Sequence, residues 1–179
     1  MGTIFVDNLE PQSGTSLTLG ASGDSISLAS GATQSGFGKL GQVLTSTVTT
    51  TTSSTSTSYV DVSGFTMNIT PTSTSSKILL SWNILNGADN HSTHQGVAQL
   101  KILRDSTNIF EHAVQSNYGN WMTTTDAINH LDSPSTTSQI TYKLQFKKIG
   151  SGQSLKFNSI YGQSEGVGAS TLMLMEILA

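Results

Sequence analysis

Ile140-Thr141-Tyr142-Lys143-Leu144-Gln145-Phe146-Lys147 decides the fold class. Ile140, Tyr142, Leu144 and Phe146 alternate one for one with Thr141, Lys143, Gln145 and Lys147. That period of two is what a strand needs when one face meets a core and the other meets water. The surrounding stretch, 139–149, runs into Gly150-Ser151-Gly152 and a second strand candidate at 154–161, so the two read as a β-hairpin. Working outward, strand-like segments recur at 42–52, 59–62, 65–70, 77–85, 97–104, 108–114 and 170–178. Turn residues separate them: Pro71-Thr72-Ser73, Asn86-Gly87-Ala88-Asp89-Asn90, Arg104-Asp105-Ser106-Thr107-Asn108 and Asp132-Ser133-Pro134. No segment has a helical period, and 120–131 is the only place where a short helical turn is conceivable. Strands at roughly 8–12-residue spacing indicate an all-β antiparallel sandwich or jelly roll and not βαβ units.

Composition agrees with a β protein of unusual surface chemistry. The 179 residues include 28 Ser and 25 Thr, while charged residues make up 11%, against about a quarter in ordinary soluble chains. Hydroxyls have replaced Lys and Glu as the solvent-facing class, and the β-branched Thr suits a pleated surface. Net charge is −3 with eight Lys+Arg, which provides no basic face and disfavours nucleic-acid binding. Without cysteine there is neither a disulfide framework nor a thiolate metal site. Met1-Gly2-Thr3-Ile4-Phe5-Val6-Asp7 does not look like a signal peptide, and no run approaches the ~20 apolar residues that span a bilayer. Cytoplasmic synthesis without membrane insertion is expected.

Residues 1–40 differ from the rest. Ser16-Leu17-Thr18-Leu19-Gly20 and Ser25-Ile26-Ser27-Leu28-Ala29 align at a period of nine, placing Leu17 with Ile26 and Leu19 with Leu28. Each unit has too little apolar surface for its own core, so units must stack or pair with other chains. Three chains wrapped together would bury the Leu17, Leu19, Ile26 and Leu28 stripe on a common axis; the alternative is an arm that orders only against a neighbour. Gln34-Ser35-Gly36-Phe37-Gly38-Lys39-Leu40-Gly41 reads as a glycine hinge. The expected organisation is a short fibrous β stem over 1–40 and a sandwich head over 41–179. Within the head, 49–58 is low-complexity, either a polar edge strand or an exposed loop.

The last strand breaks the alternation. Leu172-Met173-Leu174-Met175-Glu176-Ile177-Leu178 is apolar on both faces, as a strand covered on both sides should be. A lone sandwich would expose one of those faces, whereas a trimer axis would cover it; loops of the same subunit are the alternative. Leu172, Met173, Leu174, Met175 and Ile177 are therefore trimer-interface candidates together with the stem stripe. Lys77-Ile78-Leu79-Leu80-Ser81-Trp82 is nearly as apolar and is expected close by, with Trp82 in the core.

Several phrases are similar to known proteins. Ile4-Phe5-Val6-Asp7-Asn8-Leu9 with Ser13-Gly14-Thr15-Ser16-Leu17-Thr18-Leu19 resembles the openings of fibre and appendage proteins of marine tailed bacteriophages, cyanophages in particular. Tyr59-Val60-Asp61-Val62-Ser63-Gly64-Phe65, Ile69-Thr70-Pro71, Ser75-Ser76-Lys77-Ile78-Leu79-Leu80, Leu103-Arg104-Asp105-Ser106-Thr107 and Ser170-Thr171-Leu172-Met173-Leu174-Met175-Glu176 resemble their C-terminal domain. These are structural phrases and not a chemical signature. The resemblance implies a homotrimer with a tumour-necrosis-factor/C1q-like jelly-roll head and an N-terminal virion-attachment stem, with Ile4, Phe5, Val6 and Leu9 as anchor candidates. It implies a place on the tail or capsid exterior of a phage made in the bacterial cytoplasm, other virion proteins as partners through the N-terminus, and a host surface glycan or protein as a partner of the head. The function expected is a tail fibre or spike component. A capsid decoration, head fibre or connector without a receptor is the alternative, and a surface polysaccharide hydrolase a weaker one.

Candidate chemistry is sparse. Asp89, His91 and His94 could in principle ligate a divalent metal, but Asp89-Asn90-His91-Ser92-Thr93-His94-Gln95 reads as a polar loop with no rigid element to preset geometry. His112 and His130 stand alone. No nucleophile elbow, phosphate loop or dinucleotide fingerprint is present, so neither catalysis nor a cofactor is expected. Asn117-Tyr118-Gly119-Asn120-Trp121-Met122 offers flat rings and amides suited to sugars or protein hot spots, although Trp121 could equally plug the core. Asp89, Asn90, His91, His94, Asn117, Tyr118, Asn120 and Trp121 are the receptor-contact candidates.

Overall fold

The computed structural model describes residues 40–88, 96–116, 123–149, 155–159 and 168–178, with scattered positions between 10 and 31. The chain divides into two units, Met1–Gly38 and Lys39–Ala179. In the first unit, the stem stripe Leu17, Leu19, Ile26 and Leu28 and the anchor candidates Ile4, Phe5, Val6 and Leu9 lie outside the described residues. The second unit is the head.

All regular elements described are strands: β1 (Leu40–Val48), β2 (Thr52–Ser53), β3 (Val60–Ile69), β4 (Lys77–Ala88), β5 (Gly96–Arg104), β6 (Thr107–Ser116), β7 (Thr123–Asp132), β8 (Ile140–Lys148), β9 (Leu155–Phe157) and β10 (Ser170–Ile177). The second sheet has the order β3-β8-β5-β6. The first is built on the long β4, which pairs along one edge with β7 and along the other first with β10 and then with β9. Outside these lie β1 on β10 and β2 on β9. Every ladder is antiparallel. Long strands β1-β10-β4-β7 thus form one layer and β3-β8-β5-β6 the other, an antiparallel sandwich of jelly-roll type.

The core follows from alternation. Ile140, Tyr142, Leu144 and Phe146 of β8 are buried, and the residues between them are half exposed. They meet Ile78, Leu80, Trp82 and Ile84 of β4 and Leu172 and Leu174 of β10 across the layers. Trp82 is fully buried, as the alternation around it predicts. Phe157 packs edge-on against Phe146 at 4.8 Å and Phe65 at 6.0 Å. Burying each side chain of this size stabilises the fold by about 1.5–3 kcal/mol.

Three expectations are corrected. The segments 59–62 and 65–70 are one strand, β3, interrupted by a bulge between Asp61 and Thr66. Gly64 makes that bulge possible: its φ is +81°, and an added Cβ would lie 2.8 Å from Cγ1 of buried Val48. The stretch 120–131, where a helical turn is conceivable, is a strand, β7, over its described part. Its inward positions Thr124, Asp126, Ile128, His130 and Asp132 include a single aliphatic residue, which hides the period of two. The hairpin between 139–149 and 154–161 does not form, because β8 pairs with β3 and β5 while β9 pairs with β4 and β2. The two strands lie in different sheets. Residues 49–58 combine the two alternatives expected of them, a two-residue edge strand, β2, and a loop in which Ser54 and Ser56 accept backbone N–H bonds.

Candidate assembly face

The two outer faces of the sandwich differ in chemistry. On β8, β5 and β6 the outward side chains include Lys143, Gln145, Lys147, Lys101 and Glu111, joined by Asp61 of β3. Lys143 pairs with Asp61 at 3.1 Å, and Gln145 donates to the same carboxylate at 2.6 Å. The Gln145 bond, helped by Lys143, holds the Asp61 carboxyl below its usual range. Tyr59 lies across the face with the Lys101 and Lys147 ammoniums 3.8 Å and 4.6 Å from its ring centre, and its hydroxyl donates to Glu111. Burial, then the hydrogen bond and charge of Glu111, push the Tyr59 hydroxyl up to about 12. This is a solvated, charge-satisfied surface.

The outer face of the first sheet carries an apolar band instead. Val43 of β1 pairs with Met175 of β10, Met175 with Leu79 of β4, and Leu79 with Leu131 of β7. One register row therefore carries four apolar side chains across the full width of the layer. Leu40 pairs with Ile177 in the next row, and Met173 follows on the other side. The exposed large hydrophobics among the described residues are Leu40 at 54%, Val43 at 49% and Leu131 at 50%, and all three belong to this band. Isolated exposed leucines are ordinary, but a contiguous band is not. The neighbouring outward positions are Thr45, Thr47, Ser81, Asn83, Ala127, Asn129 and Thr171, with Lys77 the one charged side chain beside the band among the described residues.

The last strand, apolar on both faces in sequence, is resolved residue by residue. Met173, Met175 and Ile177 point outward and are half-buried. Leu172 and Leu174 are corrected: at 1% and 0% exposure they fill the sandwich core and are not available to another chain. Glu176 also points inward and is fully buried. Its Oε1 accepts from the backbone N–H and hydroxyl of Thr72 at 2.6 and 2.7 Å, and its Oε2 accepts from Gln42 at 2.8 Å. Burial alone would raise its carboxyl; the bonds from Thr72 and Gln42 outweigh that and hold it below the usual range. The carboxylate ties β10 to β1 and to the β3–β4 turn, directly beneath the band.

Two further polar clusters fix the ends of the strands. Asn158, with φ 54°, is fully buried; it accepts from Ser170 at 2.5 Å and donates to the Thr50 carbonyl at 3.0 Å. Asn86 donates to Asp126 and accepts from Thr124 at 3.0 Å. Of the isolated histidines, His130 packs on Phe110 with ring centres 5.6 Å apart, and His112 lies 6.2 Å from the same ring. Among the described residues no group of three or more His, Asp or Glu is placed to hold a metal, and no helix is long and apolar enough to cross a membrane. Asp89, Asn90, His91, His94, Asn117, Tyr118, Asn120 and Trp121 all lie outside the described residues. Sequence reasoning finds the β10 half of the band but misses Leu40, Val43, Leu79 and Leu131, whose alignment depends on register between distant strands.

The sequence matches no protein-family model and no curated protein. Among solved structures, the chain is similar to that of infectious bursal disease virus, Gt strain, with 17% identity and a TM-score of 0.40 over 77% of this chain and 38% of the other. The VP2 subviral particle of the same virus gives 18% identity and a TM-score of 0.41, over 77% of this chain and 37% of the other. Its T13 viral particle gives 20% identity and a TM-score of 0.41, over 77% and 36%. The chain therefore spans less than two fifths of the length of each of these viral chains.

Proposed function

We propose that this protein is a structural subunit of a tailed-phage virion, a self-assembling β head carried on an N-terminal attachment segment, and not an enzyme. The observation that carries self-assembly is the apolar row Val43–Met175–Leu79–Leu131 with its neighbours Leu40, Met173 and Ile177. Contiguous exposed apolar bands of this kind mark surfaces that another protein covers. The placement in a virion rests on the sequence phrases that resemble phage fibre and appendage proteins. In that reading the head is tumour-necrosis-factor/C1q-like, three copies associate, and the N-terminal residues join other virion proteins. Contact with a host surface glycan or protein falls to surfaces away from the apolar band, as a tail fibre or spike requires.

Two measurements test it. Sedimentation of the full chain should give three times the 18.9 kDa chain mass; a single-chain mass at micromolar concentration would remove the self-assembly reading. Saturating host cells with the purified protein should block adsorption of the phage that encodes it. Unimpaired adsorption would leave a decoration or connector role.

A further inference from the structure

The apolar band holds two sulfur atoms. Among the described residues the methionines are Met67, Met173 and Met175. Met67 belongs to the sandwich core at 8% exposure, whereas Met173 and Met175 point outward from β10 and are half-buried. The other large side chains of the band are plain hydrocarbons. A thioether is the one group there that a mild oxidant converts from apolar to polar. Register gives the two sulfurs different surroundings. Met173 lies opposite Thr45 on β1 and Ser81 on β4, whose hydroxyls can donate to a new oxygen. Met175 lies opposite Val43 and Leu79 and stands between Met173 and Ile177 on its own strand, so its direct neighbours on that face are all apolar.

We propose, resting on the self-assembly reading, that Met175 is an oxidation site whose state decides whether the head can assemble. The co-reactant is a peroxide. The Met175 sulfur gives a lone pair to one peroxide oxygen, the O–O bond breaks and an S–O bond forms; with hydrogen peroxide the second oxygen leaves as water. Sulfur is oxidised by two electrons and the peroxide is reduced by two, so no further reagent is needed. The sulfoxide keeps the length of the side chain but makes it polar. On the open face of a single head its oxygen is hydrated and costs little. Once a second surface covers the row, that oxygen loses its water, and its neighbours in register offer no donor. Association should then weaken about tenfold or more. A sulfoxide at Met173 keeps the hydroxyls of Thr45 and Ser81 beside it and should weaken association far less. The same covering shields Met175 from the oxidant, so the reaction acts on heads that have not yet assembled.

The chain has no cysteine, so no thiol competes for the oxidant. The full chain is held dilute, exposed to limiting hydrogen peroxide, returned to micromolar concentration and separated by size. Fragment-resolved mass spectrometry then maps sulfoxide in the oligomer and in the single-chain fraction. Sulfoxide at Met175 should be enriched about tenfold or more in single chains, while sulfoxide at Met173 is found in both. Equal Met175 sulfoxide in the two fractions would overturn the proposal. So would a single-chain fraction that tracks Met173 or any other methionine instead, or a Met175 that resists the exposure that converts Met173. Met175→Leu, judged against its own untreated sample, should lose its response to peroxide. If that substitution weakens the oligomer by itself, the wild-type fractions still decide. Untreated protein that remains a single chain at micromolar concentration would overturn the self-assembly reading itself, so the two failures are told apart.

Discussion

Arg104, the last residue of β5, donates through Nη1 to both carboxylate oxygens of Asp132, the last residue of β7, at 2.8 Å each. The pair bridges the two sheets. Tyr142, which stands beside Arg104 in register on β8, adds its hydroxyl to the same carboxylate at 2.7 Å. Burial, with the bond and charge of Asp132, pushes the Tyr142 hydroxyl far above its ordinary range. Asp132 is 8% exposed, so its charge depends on these two partners for solvation.

Removing the cation while leaving the carboxylate should therefore cost more than removing both. Arg104→Met is expected to destabilise the head by about 3–5 kcal/mol. Arg104→Met with Asp132→Leu should recover much of that loss. Tyr142→Phe alone should cost about 1–2 kcal/mol, the worth of one hydrogen bond to a charged group. Urea unfolding of the four proteins checks this; equal losses for the single and the double variant would mean that the pair does not act as a unit.

Glu176 makes stability depend on acid. Its folded carboxyl titrates below the ordinary value of 4.5. Its contribution is therefore fully present above the range where an unfolded Glu titrates, and it is lost as pH falls through the lowered folded value. Wild-type thermal stability should fall below about pH 4.3. Glu176→Gln should cost about 1–3 kcal/mol at neutral pH, because it disturbs the acceptors of Thr72 and Gln42, and should show a shallower acid decline. Some slope will remain, since Asp61 and Glu111 are also held below their usual ranges. Calorimetry from acid to neutral pH reads both slopes, and superimposable acid declines would contradict the assignment.

Gly64 should accept no side chain. Its φ of +81° strains any other residue, and the added Cβ meets Val48. Gly64→Ala is expected to cost about 1–3 kcal/mol. Pairing it with Val48→Ala should relieve the steric part and leave the backbone part, so the two losses should be less than additive. A strictly additive double variant would show that the Val48 contact is not what excludes the side chain.

How much of the fold is legible in the sequence depends on whether a residue's partner is local. The core face of β8 and the burial of Trp82 follow from alternation within one segment, and both are found as expected. The closeness of the 77–82 segment to the last strand also holds, since both are too apolar to stand alone. Partner choice does not read through. The likeness of 139–149 and 154–161 to a hairpin is a local signal, but strand pairing is decided by which faces must be buried across the whole layer. β7 is obscure because its inward polar residues are satisfied by distant groups, Asp132 by Arg104 and Asp126 by Asn86. Glu176 looks like an interruption in an apolar strand; its donors Thr72 and Gln42 stand 104 and 134 residues away. The assembly face is half legible for the same reason. Met173, Met175 and Ile177 declare themselves within one strand, while Val43, Leu79 and Leu131 join them only through register.

Strand register supplies a matched control for the apolar row. Met175→Asp places a carboxylate at the centre of that row. Thr171→Asp places the same group on the same strand and the same face, beyond Met173 and away from the band. Both positions point out of the sandwich, so both variants should fold; Thr171→Asp should melt within about 1 kcal/mol of wild type, and Met175→Asp, which replaces a half-buried side chain, should lose about 1–2 kcal/mol more as a single head. Only the first should prevent association. An uncompensated charge held in an apolar contact costs several kcal/mol, and about 3 kcal/mol already weakens binding more than a hundredfold. Met175→Asp should therefore sediment as single chains at micromolar concentration, while Thr171→Asp keeps the wild-type mass. If both variants retain the oligomer, the band is covered by something other than a second copy. If both lose it, the contact extends over the whole face and the apolar row is not its centre.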